Sequence, residues 1–337
     1  MYRRYRLLQQ TPLVSVSCSN FDSDAEMPTR SVDWDSQYRL RADGQDLSSC
    51  SGLDEEGLIT IQQNLSQGSS AKILSSLLLT GPPGSGKTHL ISCLAVEYSS
   101  DLAVLRVPAQ ALLNSEGESR RLFQHLQSQQ GQQPRRYLLA IDNLDVLLGG
   151  SVDSGAGRAL SELTDCLLTC GKLPVVLSTC RPWQLMSEQP RLRDLLKRST
   201  VCLSRAPGRA ERRRILAGLA KLKDAWAPFQ FSLRSADFNG SDDAVENLTQ
   251  PAMLEVILSA SEGMSPRDLV CLLHQAANFP IKRLVDQRVR LVDNPDLLQL
   301  DSADIGRVLA ECHASVSDEE WRRYSIWAAS FCGENDD

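Results

Sequence analysis

The sequence predicts an α/β protein, a buried parallel sheet flanked by helices, followed by a smaller all-helical domain. Two observations carry this. Short apolar runs recur between residues 73 and 204, each bounded by turn signals or charges, with helical patterns between them. After Pro207 the strand-like runs stop and only helical patterns follow. Strands alternating with helices imply βαβ units and a parallel sheet with both faces covered.

Five runs read as strands: "ILSSLLLTG" (73–81), "LAVLRVP" (102–108), "YLLAID" (137–142), "LPVVLST" (173–179) and "TVCLS" (200–204). The helical patterns between them include "THLISCLAVEYSS", "SRRLFQHLQSQ" and "GRALSELTDCLLTC". Beyond Pro207, "RAERRRILAGLAKLK", "PAMLEVILSAS", "SPRDLVCLLHQAANFPIKRLV" and "DSADIGRVLAECHA" read as helices. Ser265 before Pro266 is a helix start, with the hydroxyl as N-cap and proline at the first position. Ser317, followed by acids and then aromatics at helical spacing, starts a terminal helix. The stretch "WAPFQFSLRSADFNGSDD" reads as a loop insertion. The expected division is an N-terminal arm or appendage (1–50), an α/β domain (51–208), a helical lid (209–315) and a C-terminal helix (316–337).

Bulk properties narrow the function. The chain has 337 residues, 42% hydrophobic and 23% charged, with a net charge of −6. That balance supports neither a general nucleic-acid surface nor a membrane surface. The apolar runs are too short for a membrane-spanning helix. The 10 cysteines are scattered, without a C-x-x-C pair, and read as free thiols of a reducing compartment. The four histidines complete no zinc-ligand spacing. The first 20 residues carry arginines and serines and no acid, which partly fits a mitochondrial transit peptide; a basic arm is the preferred reading. The expected location is the cytoplasm, with the nucleus or mitochondrion as alternatives.

One motif carries chemistry. "GPPGSGKT", residues 81–88, matches G-x-x-x-x-G-K-[ST] and lies between a strand and a helix, the context that motif requires. Gly81, Pro82, Pro83, Gly84, Ser85 and Gly86 form a loop whose backbone N–H groups can face phosphate oxygens. Lys87 brings a point charge to the β- and γ-phosphates. Thr88 offers a hydroxyl to Mg²⁺, and His89 follows in the opening helix. The expected cofactors are ATP and Mg²⁺.

With the double proline of that loop and the downstream "LLAIDNLD", the chain resembles the AAA family of ATPases. "GLDE" (52–55), "GMSPRDL" (263–269) and "SVSDEEWRRYSIW" resemble further family segments, the last being the closing helix of valosin-containing-type and microtubule-severing-type members. The resemblance implies a P-loop NTPase fold and a hexameric ring with ATP at subunit interfaces. It also implies a protein client drawn into a central pore.

Carried over position by position, the resemblance makes Asp142 the aspartate that holds Mg²⁺ through water. Asn143 then falls where the family has the glutamate that activates the attacking water, and an amide is no general base. Asp145 is expected to turn away from the site and not to rescue catalysis. Cys180 replaces a polar sensor asparagine. Asp194 and Lys197 occupy the two arginine-finger positions, with Arg193 and Arg198 one residue away. Ser115 replaces the pore aromatic. Arg267 sits where the resembled clade usually has alanine; more distant AAA relatives carry a phosphate-sensing arginine near this helix start, which makes Arg267 a candidate γ-phosphate sensor.

Three readings follow. The favoured one is an ATP-binding, hydrolysis-impaired subunit in a homo- or hetero-hexamer of AAA subunits, hetero preferred. The second is an active ATPase that remodels protein assemblies. The third is a non-enzymatic adaptor that uses ATP to fix its shape.

Overall fold

The computed structural model describes residues 33–40, 76–114, 116–129, 136–149, 154–169, 173–188, 190–196, 199–221, 251–286 and 302–333. Five strands form one sheet: β1 (Leu77–Thr80), β2 (Leu102–Pro108), β3 (Arg136–Asp142), β4 (Val175–Thr179) and β5 (Thr200–Leu203). Their spatial order is β2-β3-β4-β1-β5, and every pairing is parallel. Each strand matches one of the expected apolar runs, with β1 starting later, at Leu77. The runs are nearly unbroken in apolar residues because helices cover both faces of a parallel sheet.

The alternation of side chains along each strand divides the core. Leu78, Leu105, Val107, Leu139, Ile141 and Leu177 face one cluster. Leu77, Leu79, Val104, Leu138, Ala140 and Val176 face the other. Burying one such side chain contributes about 1.5–3 kcal/mol.

The first cluster also takes Trp34 from α1 (Trp34–Tyr38). This segment falls within the expected N-terminal arm, yet it is built into the sheet. Arg39 forms an antiparallel bridge with Leu105, and Leu40 N–H donates to Val104 O at 3.0 Å. Asp35 accepts from the Tyr137 hydroxyl and lies 3.0 Å from His125 Nε2. The exposed edge of β2 is thereby partly covered. Trp34 and Tyr38 are one apolar pair in a polar stretch, too sparse to produce a periodic signal. The rest of residues 1–50, the "GLDE" segment and the loop insertion lie outside the described residues.

The helices of the α/β part are α2 (Lys87–Glu97), α3 (Glu118–Gln129), α4 (Gly155–Thr169), α5 (Pro182–Glu188) and α6 (Pro190–Leu196). After β5 come α7 (Arg209–Lys221), α8 (Pro251–Ala260), α9 (Pro266–Asp286) and α10 (Ser302–Glu311). These four surround their own core, which includes Leu216, Leu254, Ile257, Leu269, Leu272, Ile305 and Val308. Arg212 of α7 is buried and donates to Pro207 O and Leu258 O, each at 2.9 Å, tying the exit from the sheet to α8. The start of α9 is capped reciprocally: Asp268 N–H donates to Ser265 Oγ, and Ser265 N–H to Asp268 Oδ2. The last helix, α11 (Asp318–Gly333), is capped by Ser317, whose Oγ accepts from Glu320 N–H at 3.2 Å. It packs back on the α/β part, with Phe331 in the first cluster.

Candidate phosphate-binding site

The site lies at the carboxyl ends of β1, β3 and β4, where ligands of doubly wound sheets bind. The strand order makes this a switch point: the chain leaves β1 and passes beyond β4 and β3 to form β2. The loop Gly81–Gly86 links β1 to α2. Gly86 has φ 98° and caps α2 without a side-chain hydrogen bond. A residue with a Cβ enters that region at a cost of about 1–2 kcal/mol. The α2 N-terminus thus opens onto the loop with backbone N–H groups that have no intrahelical partner.

Lys87 is 8% exposed. Its Nζ donates to Gly81 O at 2.8 Å and Pro82 O at 2.9 Å, with Ser85 Oγ at 3.4 Å. The ammonium therefore sits within the loop. Thr88 Oγ1 donates to Asp142 Oδ2 at 2.9 Å. Two sequence-predicted magnesium-side residues, 54 positions apart, are in direct contact.

The other oxygen of Asp142 accepts from Ser178 Oγ at 2.6 Å, and Ser178 Oγ accepts from Asn143 N–H at 2.8 Å. Asn143 has φ 61° and ψ 59° and begins a short 3₁₀ turn, Leu144–Leu147. Among the described residues it is the one non-glycine with positive φ. Asparagine tolerates this conformation better than most side chains. Its side chain is exposed. Asp145, in the turn, has left β3. It accepts from Thr179 Oγ1 at 3.0 Å and from Cys180 N–H at 2.7 Å, with Arg181 Nε at 3.7 Å. Asp145 thus holds the end of β4.

Cys180 follows β4 and is half-buried. Burial pushes its thiol up, while the Lys87 ammonium pulls the other way.

The lid touches the loop directly. Arg267 N–H, at the start of α9, donates to Gly84 O at 3.2 Å. Gly84 has φ +84°, and a Cβ placed there would lie 2.7 Å from Arg267 Cβ and 3.2 Å from its Cδ. Glycine at 84 therefore permits both the turn and the lid's approach. The Arg267 side chain is exposed and runs beside the loop.

The other expected positions are less closely assembled. His89 is exposed; its Nε2 lies 3.5 Å from Cys93 Sγ, and that contact raises its pKa against the opposing effect of burial. Pro83 is exposed, whereas Pro82 is buried. Arg193 is half-buried in α6, and Asp194 belongs to the same helix. Lys197, Arg198 and Ser115 lie outside the described residues.

The sequence reading did not single out Ser178, which the structure brings to Asp142. A serine inside a run of apolar strand residues was the available signal. It also missed Tyr324 of α11, whose hydroxyl donates to Cys180 O.

Comparison with known proteins agrees with this architecture. Residues 77–201 match the AAA family, the ATPase family associated with various cellular activities. Spastin of Drosophila virilis is 28% identical over 274 residues, covering 76% of this chain and 31% of that protein. Spastin of Anopheles gambiae is 29% identical over 268 residues, with 76% and 28% covered. The chain thus spans about a third of the length of these curated relatives. The crystal structure of the FIGL-1 AAA domain matches with a TM-score of 0.64 at 19% identity, covering 88% of this chain and 93% of that one. A katanin structure concerned with self-assembly matches with a TM-score of 0.62 at 18% identity, covering 93% and 99%. The five-stranded sheet, its phosphate loop and these similarities lead to one conclusion: residues 77–201 match the AAA family on a P-loop NTPase fold, and the chain is similar to the spastins over 76% of its length.

Proposed function

We propose that this chain binds ATP with Mg²⁺ at the Gly81–Thr88 loop and acts as a hydrolysis-impaired, regulatory subunit of an AAA protein-remodelling complex. The observation that carries the proposal is the pairing of an assembled Lys87–Thr88–Asp142 group with an amide, Asn143, next to Asp142. A structure of the FIGL-1 AAA domain in complex with ADP has the same fold, which supports a nucleotide as the ligand.

The residues fit the group. The loop turns through positive-φ glycines at 84 and 86, the α2 N-terminus faces it, and Thr88 and Asp142 supply hard oxygen donors suited to Mg²⁺. Lys87 and the loop amides would hold the phosphates. Thr88 would ligate the metal directly and Asp142 through water. The metal, when bound, supplies charge neutralisation on the phosphates. Arg267, beside Gly84, would reach the terminal phosphate from the lid. Asn143 can orient a water but cannot accept its proton at neutral pH. Asp145 carries a carboxylate but is committed to Thr179 and Cys180.

The complex would be a ring in which a second AAA chain supplies the missing groups at the shared interface, acting on a protein client. The spastin and katanin similarities support an assembly of this kind. The direct Thr88–Asp142 contact favours a second reading, an active ATPase with unusual residues.

Affinity purification of the tagged chain with ATP present, followed by mass spectrometry, tests the regulatory role. We expect a catalytically complete AAA chain to co-purify and to depart when Lys87 is alanine. A homohexamer with brisk turnover of its own would overturn the regulatory reading and leave the active ATPase.

A further inference from the structure

The peptide unit of Cys180 is held from both sides. Its N–H donates to Asp145 Oδ2 at 2.7 Å, and its carbonyl accepts from the Tyr324 hydroxyl, 144 positions along the chain. Tyr324 is 2% exposed. Its ring meets that of Trp183 at 5.1 Å between centroids, and the Arg323 guanidinium lies 3.9 Å over the Trp183 ring. Farther along α11, Trp327 stacks on Phe331 at 5.2 Å, and Phe331 is buried in the sheet-side core. The helix is thus fastened at two points, one of them the loop that follows β4.

That loop is close to the chemistry. Two residues before Cys180, Ser178 holds both Asp142 and the Asn143 N–H. One residue before it, Thr179 donates to Asp145 and accepts from Arg181 N–H. Two hydrogen-bonded groups, one around Cys180 and Asp145 and one around Ser178 and Asp142, are joined by the backbone of residues 178–180 and link α11 to the metal-side carboxylate; coupling can travel through such contiguous contacts. Burial raises the Tyr324 pKa, so the hydroxyl remains an O–H donor across the physiological range.

From this geometry we infer that Tyr324 is a positioning residue: it couples docking of the C-terminal helix to the terminal-phosphate side of the nucleotide site through the Cys180 carbonyl. The inference rests on the nucleotide site proposed above. Such coupling is reciprocal: if the helix favours one phosphate state, that state must favour the docked helix. ADP, which lacks the terminal phosphate, should be nearly indifferent to the contact.

The test measures binding of fluorescent ADP and of a β,γ-imido ATP analogue, each with Mg²⁺, to the full chain and to Tyr324→Phe. The substitution keeps the ring and removes one hydrogen bond. We expect the analogue to bind about 3- to 10-fold more weakly, the range that one such bond provides. ADP should change by less than about twofold, well inside that range. Equal weakening of both nucleotides, or no change in either, overturns the coupling. If Tyr324→Phe does not fold, hydrogen exchange of the unmodified chain decides: amides of residues 318–333 should exchange more slowly with the analogue than with ADP, and identical exchange overturns the inference. Failure of the unmodified chain to bind either nucleotide would remove the proposed site and this coupling together. Normal binding of both with an unchanged ratio in Tyr324→Phe would remove the coupling alone.

Discussion

On the β1 side of the site, Lys87 donates to two loop carbonyls and Thr88 meets Asp142. On the β4 side, a few residues away, Asn143 brings an amide and Cys180 a half-buried thiol. Yet the backbone of that second side is as firmly held as the first. Ser178 fixes Asp142 and Asn143, and Asp145 fixes Thr179 and Cys180. The difference between the two sides is therefore one of side-chain chemistry on an intact scaffold. Binding needs charge and aligned donors, which the β1 side presents. Cleavage needs a base, and the proposed deficit rests on the β4 side, where the residue after Asp142 is an amide without useful basicity.

The largest break in this comparison should come from Lys87→Ala. At ATP one hundred times its dissociation constant, a ligand binding only the folded state stabilises it by about 2.7 kcal/mol. We expect ATP–Mg²⁺ to raise the thermal midpoint of the unmodified chain and Lys87→Ala to lose most of that shift. Calorimetry or dye-based melting checks this, and no shift in the unmodified chain would remove the nucleotide assignment.

Ser178→Ala should come next. It leaves the Asn143 N–H without its acceptor and Asp142 without one donor. Residues that orient metal-side ligands are typically worth about 10- to 100-fold in metal affinity. We expect Mg²⁺ dependence of ATP binding to shift by about 10-fold, at the lower end of that range. A Mg²⁺ titration with unchanged midpoint would show that Ser178 only packs the strand.

Asn143→Glu should have the smallest effect. A glutamate at φ 61° carries strain of about 1–2 kcal/mol, which asparagine largely avoids. In the proposed reading the new carboxylate would also act without a polar sensor or an arginine finger of its own chain. We expect less than about 10-fold gain in turnover, well under the range of about 10²–10⁴ for a fully effective base. A gain of about 100-fold, inside that range, would show that Asn143 alone accounts for the deficit.

The fold was legible because its signals are local. Strands buried on both faces read as apolar runs, Ser265 and Ser317 read as caps, and the phosphate loop is contiguous. Asp142 was legible because it ends an apolar strand. Other features depend on tertiary contacts that no local pattern encodes. Ser178 reaches Asp142 across 36 positions and Tyr324 reaches Cys180 across 144. Arg212 hides in a run of three arginines, and only packing against Leu258 distinguishes it from its exposed neighbours Arg213 and Arg214. Trp34 lay in a stretch too polar to signal a place in the core.

The central claim is that this chain holds ATP much longer than it cleaves it. Single-turnover cleavage of labelled ATP tests it most directly, with the purified chain in excess over ATP, Mg²⁺ present, and Lys87→Ala as the background. The account predicts retained, uncleaved ATP and a rate below about 10⁻² s⁻¹, since loss of a general base costs about 10²–10⁴-fold from ordinary turnover. Cleavage at about 1 s⁻¹ or faster without a partner, the lower end of ordinary enzyme turnover, would contradict it and make the chain an active ATPase.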